Sequence, residues 1–394
     1  MADRSLSSSS LTRDRPPLLS KFQLQEILKE MVGKDVHVKE FRELPSYQDR
    51  NYYFRLDLDK TGSHIESPIL PSSDYQDEIK TINPQYVLKI LRSGESKKLA
   101  LGRLDALLYL GKTGFECSRV IPLRNQEFYK MVAPPKQDGN NQEIQHETTE
   151  YIAYILSYID GSMISTIKPT YDLFYRVGKL VGKIDSNWQG YHAEVLKGNN
   201  SIWSLRNFHE LRSCIKYCKE EDWSFLETTF HTISKYFKEN VKNLRQSTIH
   251  SDINQSNILV QHNQEKNDYD ITAIIDYGDI DYDCLIFELG ITIAYLLLVT
   301  EGNPVKPAAY LIAGYHSVLP INETEYKGLH TIIAARYFQS IVLANRQRAQ
   351  DPDNDYIMSK YNRKWELLRF FTSTSQEEIY KIWDQISWNY NQKP

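Results

Sequence analysis

The chain is 394 residues long, enough for one large domain or two fused ones with a substantial core. Its formal net charge of −4 is nearly balanced, which excludes the broad basic footprint of a nucleic-acid binder. The four scattered cysteines, Cys117, Cys214, Cys218 and Cys284, form neither a disulfide framework nor a two-pair metal motif, and read as reduced thiols of a cytoplasmic protein.

Residues 1–19, with a serine run from Ser7 to Ser10 and the pair Pro16 and Pro17, are expected as a disordered tail. From Ser20 to Met31, the spacing of Phe22, Ile27, Leu28 and Met31 predicts a short amphipathic helix. Strand texture follows at Val36–Phe41, Asn51–Leu58, Tyr86–Leu91, Val120–Leu123 and Tyr151–Tyr158, rich in aromatic and β-branched residues. A helical pattern covers Leu99–Tyr109, and polar loops are expected over Asp59–Pro84 and Pro134–Thr149.

Asp160 and Gly161 break the chain, and helical texture then dominates: Thr170–Ile184, Trp223–Lys242, Leu285–Val299, Tyr326–Gln347, Tyr356–Phe371 and Gln376–Tyr390. The run from Cys284 to Val299 carries Glu288 and falls short of the roughly 20 residues a membrane span needs, so it reads as a buried helix and no membrane association is expected. The exception is a strand–loop–strand block from Thr248 to Ile275. The expected fold is α+β and bilobal: an N-terminal lobe over 20–158, an antiparallel sheet with a helix, and a larger, mostly helical C-terminal lobe over 159–394.

The block contains His250, Asp252 and Asn257 in the spacing H-x-D-x-x-x-x-N, and Asp276-Tyr277-Gly278 begins nineteen residues after Asn257. Phosphoryl transfer requires a carboxylate to accept a hydroxyl proton and oxygens to hold metal, and these segments supply both. Asp252 is the candidate base. Asn257 and Asp276 bring one neutral and one charged oxygen donor suited to Mg²⁺, at one end of a hairpin formed by 257–260 and 271–275. His250 reads as a shaper of the loop through hydrogen bonds more than as a proton carrier. Glu288, in an apolar helix, is a buried carboxylate placed to brace backbone N–H groups of the loop. Lys89, in the apolar run Val87–Ile90, fits a strand lysine gripping nucleotide phosphates, with Asp105 its acidic partner. No glycine-rich turn precedes Asn51, so Ser46, Asn51 and backbone amides are left to cover the phosphates. The nine residues between Gly278 and Glu288 are too few for a peptide-docking activation segment, which points to a small-molecule acceptor.

With Ile249–Leu259 and Ile275–Asp279, the chain resembles the aminoglycoside phosphotransferase/choline kinase superfamily. Glu43–Asn51, Tyr86–Ile90, Phe287–Ile293 and Arg336–Ser340 narrow the resemblance to its hydroxylysine kinase family. The likeness implies transfer of the γ-phosphate of GTP or ATP, with Mg²⁺, to the side-chain hydroxyl of free 5-hydroxylysine. It also implies purine binding by backbone groups near Ser157, Tyr158 and Ile159. Ser251 stands where many members have glycine, and is expected to impose an ordinary backbone conformation. For an amino-acid acceptor with two ammonium groups, Asp279, Asp281 and Asp283 are candidate counter-charges, Arg336 a candidate for the carboxylate and Trp203 a pocket wall. Choline, ethanolamine, homoserine or an aminoglycoside remain alternative acceptors, and a non-catalytic nucleotide-binding protein a further alternative. Protein partners are left undefined.

Overall fold

The computed structural model describes residues 16–33, 36–46, 49–57, 85–133, 149–197, 199–352, 358 and 360–391. The chain divides into two compact units, Met1–Ala100 with Ser118–Ile159, and Leu101–Cys117 with Asp160–Pro394. Residues 101–117, expected in the N-terminal lobe, group with the second unit.

The first unit opens with α1 (Lys21–Val32). Ser20 Oγ accepts from Gln23 N at 3.2 Å and Gln23 Oε1 accepts from Ser20 N at 2.8 Å, a capping box that satisfies two orphan amides. The antiparallel sheet comprises β1 (Val38–Leu44), β2 (Arg50–Leu56), β3 (Gln85–Ile90), β4 (Val120–Ile121), β5 (Lys130–Val132) and β6 (Tyr151–Ser157). Its order is β1-β2-β3-β6-β4, with β5 also on β6. Leu24, Leu28 and Met31 of α1 bury in one core with Tyr52, Phe54, Leu88, Ile90 and Ile155 of the sheet. β5 was not expected, being too short for its alternation to show.

Residues 16–19, expected within the disordered tail, are held in place. Leu19 N donates to Tyr52 Oη at 3.0 Å, that hydroxyl donates to Pro17 O at 3.3 Å, and Arg50 Nε donates to Pro16 O at 3.0 Å. Residues 16–19 are therefore tied to β2 by hydrogen bonds that composition does not reveal, while 1–15 lie outside the described residues. Most of the two expected polar loops, 58–84 and 134–148, lie outside them as well.

The second unit holds most of α2 (Lys97–Lys112), then β7 (Ser162–Met163), α3 (Tyr171–Trp188), a 3₁₀ segment (Leu205–Tyr217) and α4 (Glu220–Asn240). Four strands follow: β8 (Gln246–Ile249), β9 (Ile258–Asn263), β10 (Asp268–Ile274) and β11 (Asp281–Cys284). Five helices complete it: α5 (Leu285–Leu296), α6 (Val305–His316), α7 (Glu323–Gln350), α8 (Tyr361–Ser373) and α9 (Gln376–Asn391). α6 was missed in the sequence because Pro307 interrupts its pattern, although proline is tolerated in a first turn. α3 and α6 cross at reciprocal glycines, where a Cβ at Gly178 would lie 2.1 Å from Leu311 O and one at Gly314 2.0 Å from Tyr175 O. α5 is buried along nearly its whole length, which explains its apolar run without a membrane. Among the described residues no helix is long and apolar enough to cross a bilayer. An antiparallel-sheet unit followed by a larger helical one is the expected α+β plan.

Candidate active site

β8 leads into the loop 250–257, and β9 and β10 lead out of it. Ile274 pairs with Ile258 in the β9–β10 register, and Ile275 N donates to Asn257 O at 2.9 Å. The two candidate metal donors, Asn257 and Asp276, therefore emerge side by side from one hairpin end.

Glu288 sits beneath this loop on α5 and is completely buried. Its Oε2 accepts from Ser251 N at 3.0 Å and from His250 N. Burial pushes this carboxyl up to about 7, while the N–H groups of Ser251 and His250 pull the other way. Bracing of the loop by Glu288 is thus visible in the hydrogen bonds. Ser251 itself has φ of 68°, a left-handed conformation rather than the ordinary one expected. The two adjacent N–H groups converging on one carboxylate require the turn, and serine adopts it in place of glycine.

His250 is fully buried, with Nδ1 accepting from Asp252 N at 3.3 Å and Nε2 facing Ile275 O at 3.1 Å. The Nδ1 contact leaves the ring proton on Nε2, and burial lowers the pKa of the ring, which keeps it neutral. Both ring nitrogens face backbone partners, so the ring is held within the loop.

Asp252 is held by three side chains. Its Oδ2 accepts from Asn254 Nδ2 at 2.8 Å and from Asn257 Nδ2 at 3.3 Å, and its Oδ1 lies 3.3 Å from Arg336 Nη2. Burial pushes this carboxyl up, as do Asp279 and Asp276, while Arg336 opposes them. Asn257 Nδ2 also donates to Asp252 O at 2.9 Å, which turns the amide oxygen away from the base. Asn254 escaped sequence reasoning; its Oδ1 accepts from Ser256 N at 2.7 Å, so it locks the loop and the base together. Its position two residues after the aspartate was the available signal.

Arg336 is buried on α7 at 3% exposure, not on the surface. Besides Asp252, it donates from Nη1 to Gln339 Oε1 at 2.7 Å and to Trp203 O at 3.2 Å. Its guanidinium lies 5.3 Å from the Trp203 ring centre and 5.0 Å from that of Tyr295. The guanidinium expected to take a substrate carboxylate also contacts the candidate base. Trp203 adjoins this cluster through its contact with Arg336.

The acidic segment separates into two kinds. Asp276, with a left-handed backbone (φ 62°), and Asp279 are exposed. Asp283 is buried, accepting from Ser204 Oγ at 2.6 Å, Arg206 Nε at 3.1 Å and Cys284 N at 2.7 Å. Asp281 is also buried and is pushed up to about 7 by burial and then by Asp283. Asp281 and Asp283 therefore hold β11 in place, and of the expected counter-charges for an ammonium only Asp279 faces solvent.

In the first unit, Lys89 on β3 stands opposite Asn51 on β2, and is buried. Its Nζ lies 3.3 Å from Asp49 Oδ2, and Asp49 Oδ1 accepts from Arg92 N at 3.1 Å. Asp49 is therefore the acid beside Lys89. Asp105, expected in that role, accepts from Tyr191 Oη at 2.7 Å within the second unit, because its part of α2 packs there on the end of α3. Asn51 Oδ1 is buried with no hydrogen-bond partner among the described residues, and Ser46 is half-buried. Ser157 N donates to Arg119 O at 2.8 Å and Tyr158 N to Gln85 O at 3.1 Å. Those two N–H groups are spent inside the unit, so a purine would be left the carbonyls here and the half-buried Ile159.

A profile of the phosphotransferase enzyme family matches residues 72–329. The chain belongs to that family, and it is a small-molecule kinase with an alcohol group as acceptor. Among curated proteins it is 25% identical to hydroxylysine kinase of Xenopus laevis over 393 residues, covering 95% of both chains. It is 24% identical to hydroxylysine kinase of Mus musculus over 387 residues, again 95% of both. In fold it is similar to a microcompartment-associated aminopropanol kinase, with a TM-score of 0.59, 13% identity and coverage of 93% of this chain and 94% of that one. The amicoumacin kinase hAmiN, in complex with AMP-PNP, Ca²⁺ and Ami, gives a TM-score of 0.57 at 12% identity, with the same coverage.

Proposed function

We propose that this protein transfers the γ-phosphate of a purine nucleoside triphosphate, GTP by family resemblance or else ATP, to the side-chain hydroxyl of 5-hydroxy-L-lysine. The observation that carries the reading is Asp252, a carboxylate held by Asn254, Asn257 and Arg336 at the mouth of a braced loop. In this reading Asp252 accepts the acceptor's hydroxyl proton as its oxygen bonds to the γ-phosphorus and the bond to the diphosphate leaving oxygen breaks.

The amide oxygen of Asn257 and the Asp276 carboxylate would hold Mg²⁺; both are hard oxygen donors, and Asn257 has its nitrogen engaged elsewhere. When bound, the ion neutralises charge on the phosphates. Lys89 would take the α- and β-phosphates, with Asp49 keeping its ammonium in place. Ser46 and Asn51 would cover the phosphates, and carbonyls near Ser157 and Tyr158 with Ile159 would meet the purine. Asp279 would receive an ammonium of the acceptor. Full-length likeness to two hydroxylysine kinases supports the acceptor. A choline-type aromatic cage is disfavoured, because the Trp203 and Tyr295 faces already hold Arg336. We place the protein in the cytoplasm, since its four cysteines are all free and buried.

The test is nucleotide turnover by the purified protein with Mg²⁺, GTP or ATP, and a panel of amino acids and amino alcohols. Phosphorylation of 5-hydroxylysine is expected. Turnover with ethanolamine, choline or homoserine and none with hydroxylysine would overturn the assignment.

A further inference from the structure

The two oxygens of the Asp252 carboxylate are used unequally. Oδ2 accepts from Asn254 Nδ2 at 2.8 Å and from Asn257 Nδ2 at 3.3 Å, which fills the two lone-pair sites of a carboxylate oxygen. Oδ1 meets one donor among the described residues, Arg336 Nη2 at 3.3 Å, and so keeps a site for a hydroxyl proton. The Asp252 side chain is 23% exposed, which leaves it open to a small acceptor.

Arg336 stands on the closed side of this carboxylate. Both hydrogens of its Nη1 are engaged, with Gln339 Oε1 at 2.7 Å and Trp203 O at 3.2 Å. Gln339, three residues further along α7 and fully buried, is itself held at both ends, because its Nε2 donates to Ile202 O at 2.9 Å. The guanidinium plane is therefore set by the 202–203 backbone and a buried amide, with the Trp203 and Tyr295 rings against it. Nε is buried with no hydrogen-bond partner among the described residues. A carboxylate ligand is best taken by two parallel N–H groups. Here no such edge is open, since Nη1 is engaged, Nε is shut from solvent and Nη2 faces Asp252.

We infer that Arg336 is a positioning residue for the base: it sets Oδ1 of Asp252 toward the acceptor hydroxyl and does not receive the acceptor's carboxylate. This rests on the phosphotransfer reading above. The hydroxyl proton passes to Oδ1 as the hydroxyl oxygen bonds the γ-phosphorus, and the diphosphate oxygen leaves with the electrons of the broken bond. Asn254 and Asn257 hold Oδ2, Arg336 fixes the rotation of the carboxylate, and Oδ1 does the proton transfer.

The experiment measures kcat and KM for Arg336→Ala, Arg336→Lys and Gln339→Met, with Tm as the check of folding. The acceptors are 5-hydroxylysine, its decarboxylated analogue and any other that the wild type phosphorylates. A reacting group misplaced by an ångström loses roughly 10²-fold in rate. Arg336→Ala should lower kcat by about that factor on every acceptor and leave acceptor and nucleotide KM close to wild type. Added guanidinium ion should restore part of kcat saturably and ammonium should not, because only the planar group offers donors in fixed directions. Arg336→Lys should recover little for the same reason. Gln339→Met keeps both charges and frees the guanidinium plane; it should lower kcat by a smaller factor, and it carries the test if Arg336→Ala does not fold. A KM that rises for hydroxylysine and not for the analogue would assign Arg336 to the carboxylate and overturn the inference. So would an unchanged kcat in a folded variant, or a loss that guanidinium leaves untouched. If the wild type phosphorylates another acceptor and not hydroxylysine, the acceptor reading fails, and the same kcat comparison on that acceptor still decides this inference.

Discussion

The loop 250–257 carries one aspartate and the acidic segment 276–283 carries four, and the two use them in opposite ways. In the loop, 250–257, the single aspartate is held by two amides and a guanidinium, and the histidine and serine beside it are bound through their backbone N–H groups. In the segment 276–283, Asp281 and Asp283 are buried in the frame, while Asp276 and Asp279 face outward. Within the segment, burial separates the two carboxylates that fasten β11 from the two that face solvent, and their spacing in the chain does not.

Substituting on each side of this divide should separate turnover from stability. The largest effect belongs to Asp252→Asn, which should lower kcat by roughly 10²-fold or more while nucleotide affinity, read by titration, stays close to wild type. Glu288→Ala leaves two loop N–H groups without their acceptor, and should cost roughly 3 kcal/mol in urea unfolding as well as lowering kcat. Glu288→Gln, which keeps an acceptor oxygen, should recover most of that stability.

His330 provides a comparison in pH. This buried histidine on α7 is pushed down to about 4 by burial, and its Nδ1 faces Gln376 Nε2 at 3.2 Å. The unfolded ring takes up a proton near 6.5 and the folded ring resists until about 4, so its contribution to stability is complete above 6.5 and lost as pH falls through that window. The loss amounts to on the order of 3 kcal/mol, and should flatten in His330→Phe when Tm is followed between those pH values. His250 shifts in the same direction and adds with the same sign.

Within the acidic segment, Asp283→Ala should cost about 2 kcal/mol of stability through loss of its Ser204 and Arg206 contacts, with acceptor KM unchanged. Asp279→Ala should do the reverse, raising acceptor KM at unchanged Tm. The smallest effect is that of Ser251→Gly, which relieves the left-handed backbone and should stabilise by about 1 kcal/mol or less in the same urea titration.

The grouping of the motif residues was legible because they are close in sequence: His250, Asp252 and Asn257 share one loop, and Asp276 follows at the end of a two-strand hairpin. Glu288 was legible too, since a carboxylate in an apolar helix must have a purpose. What escaped was long-range. Arg336 reaches Asp252 across 84 residues, and nothing local distinguishes that pairing from a carboxylate-binding role. Asp49 lay in a turn rather than on the helix where an acid was sought, and Asp105 was drawn to Tyr191 by the packing of α2. Ser251 was misread because residue type sets the cost of a backbone conformation, while its neighbours decide whether that cost is met.

Glu288 also ties the loop 250–257 to α5, which is buried along nearly its whole length. A loop fastened to α5 is no separate cooperative element, and its melting is that of the core beneath it. Heat should therefore end turnover and core structure at one temperature, with no cooler interval in which the protein stays folded and its chemistry has already failed.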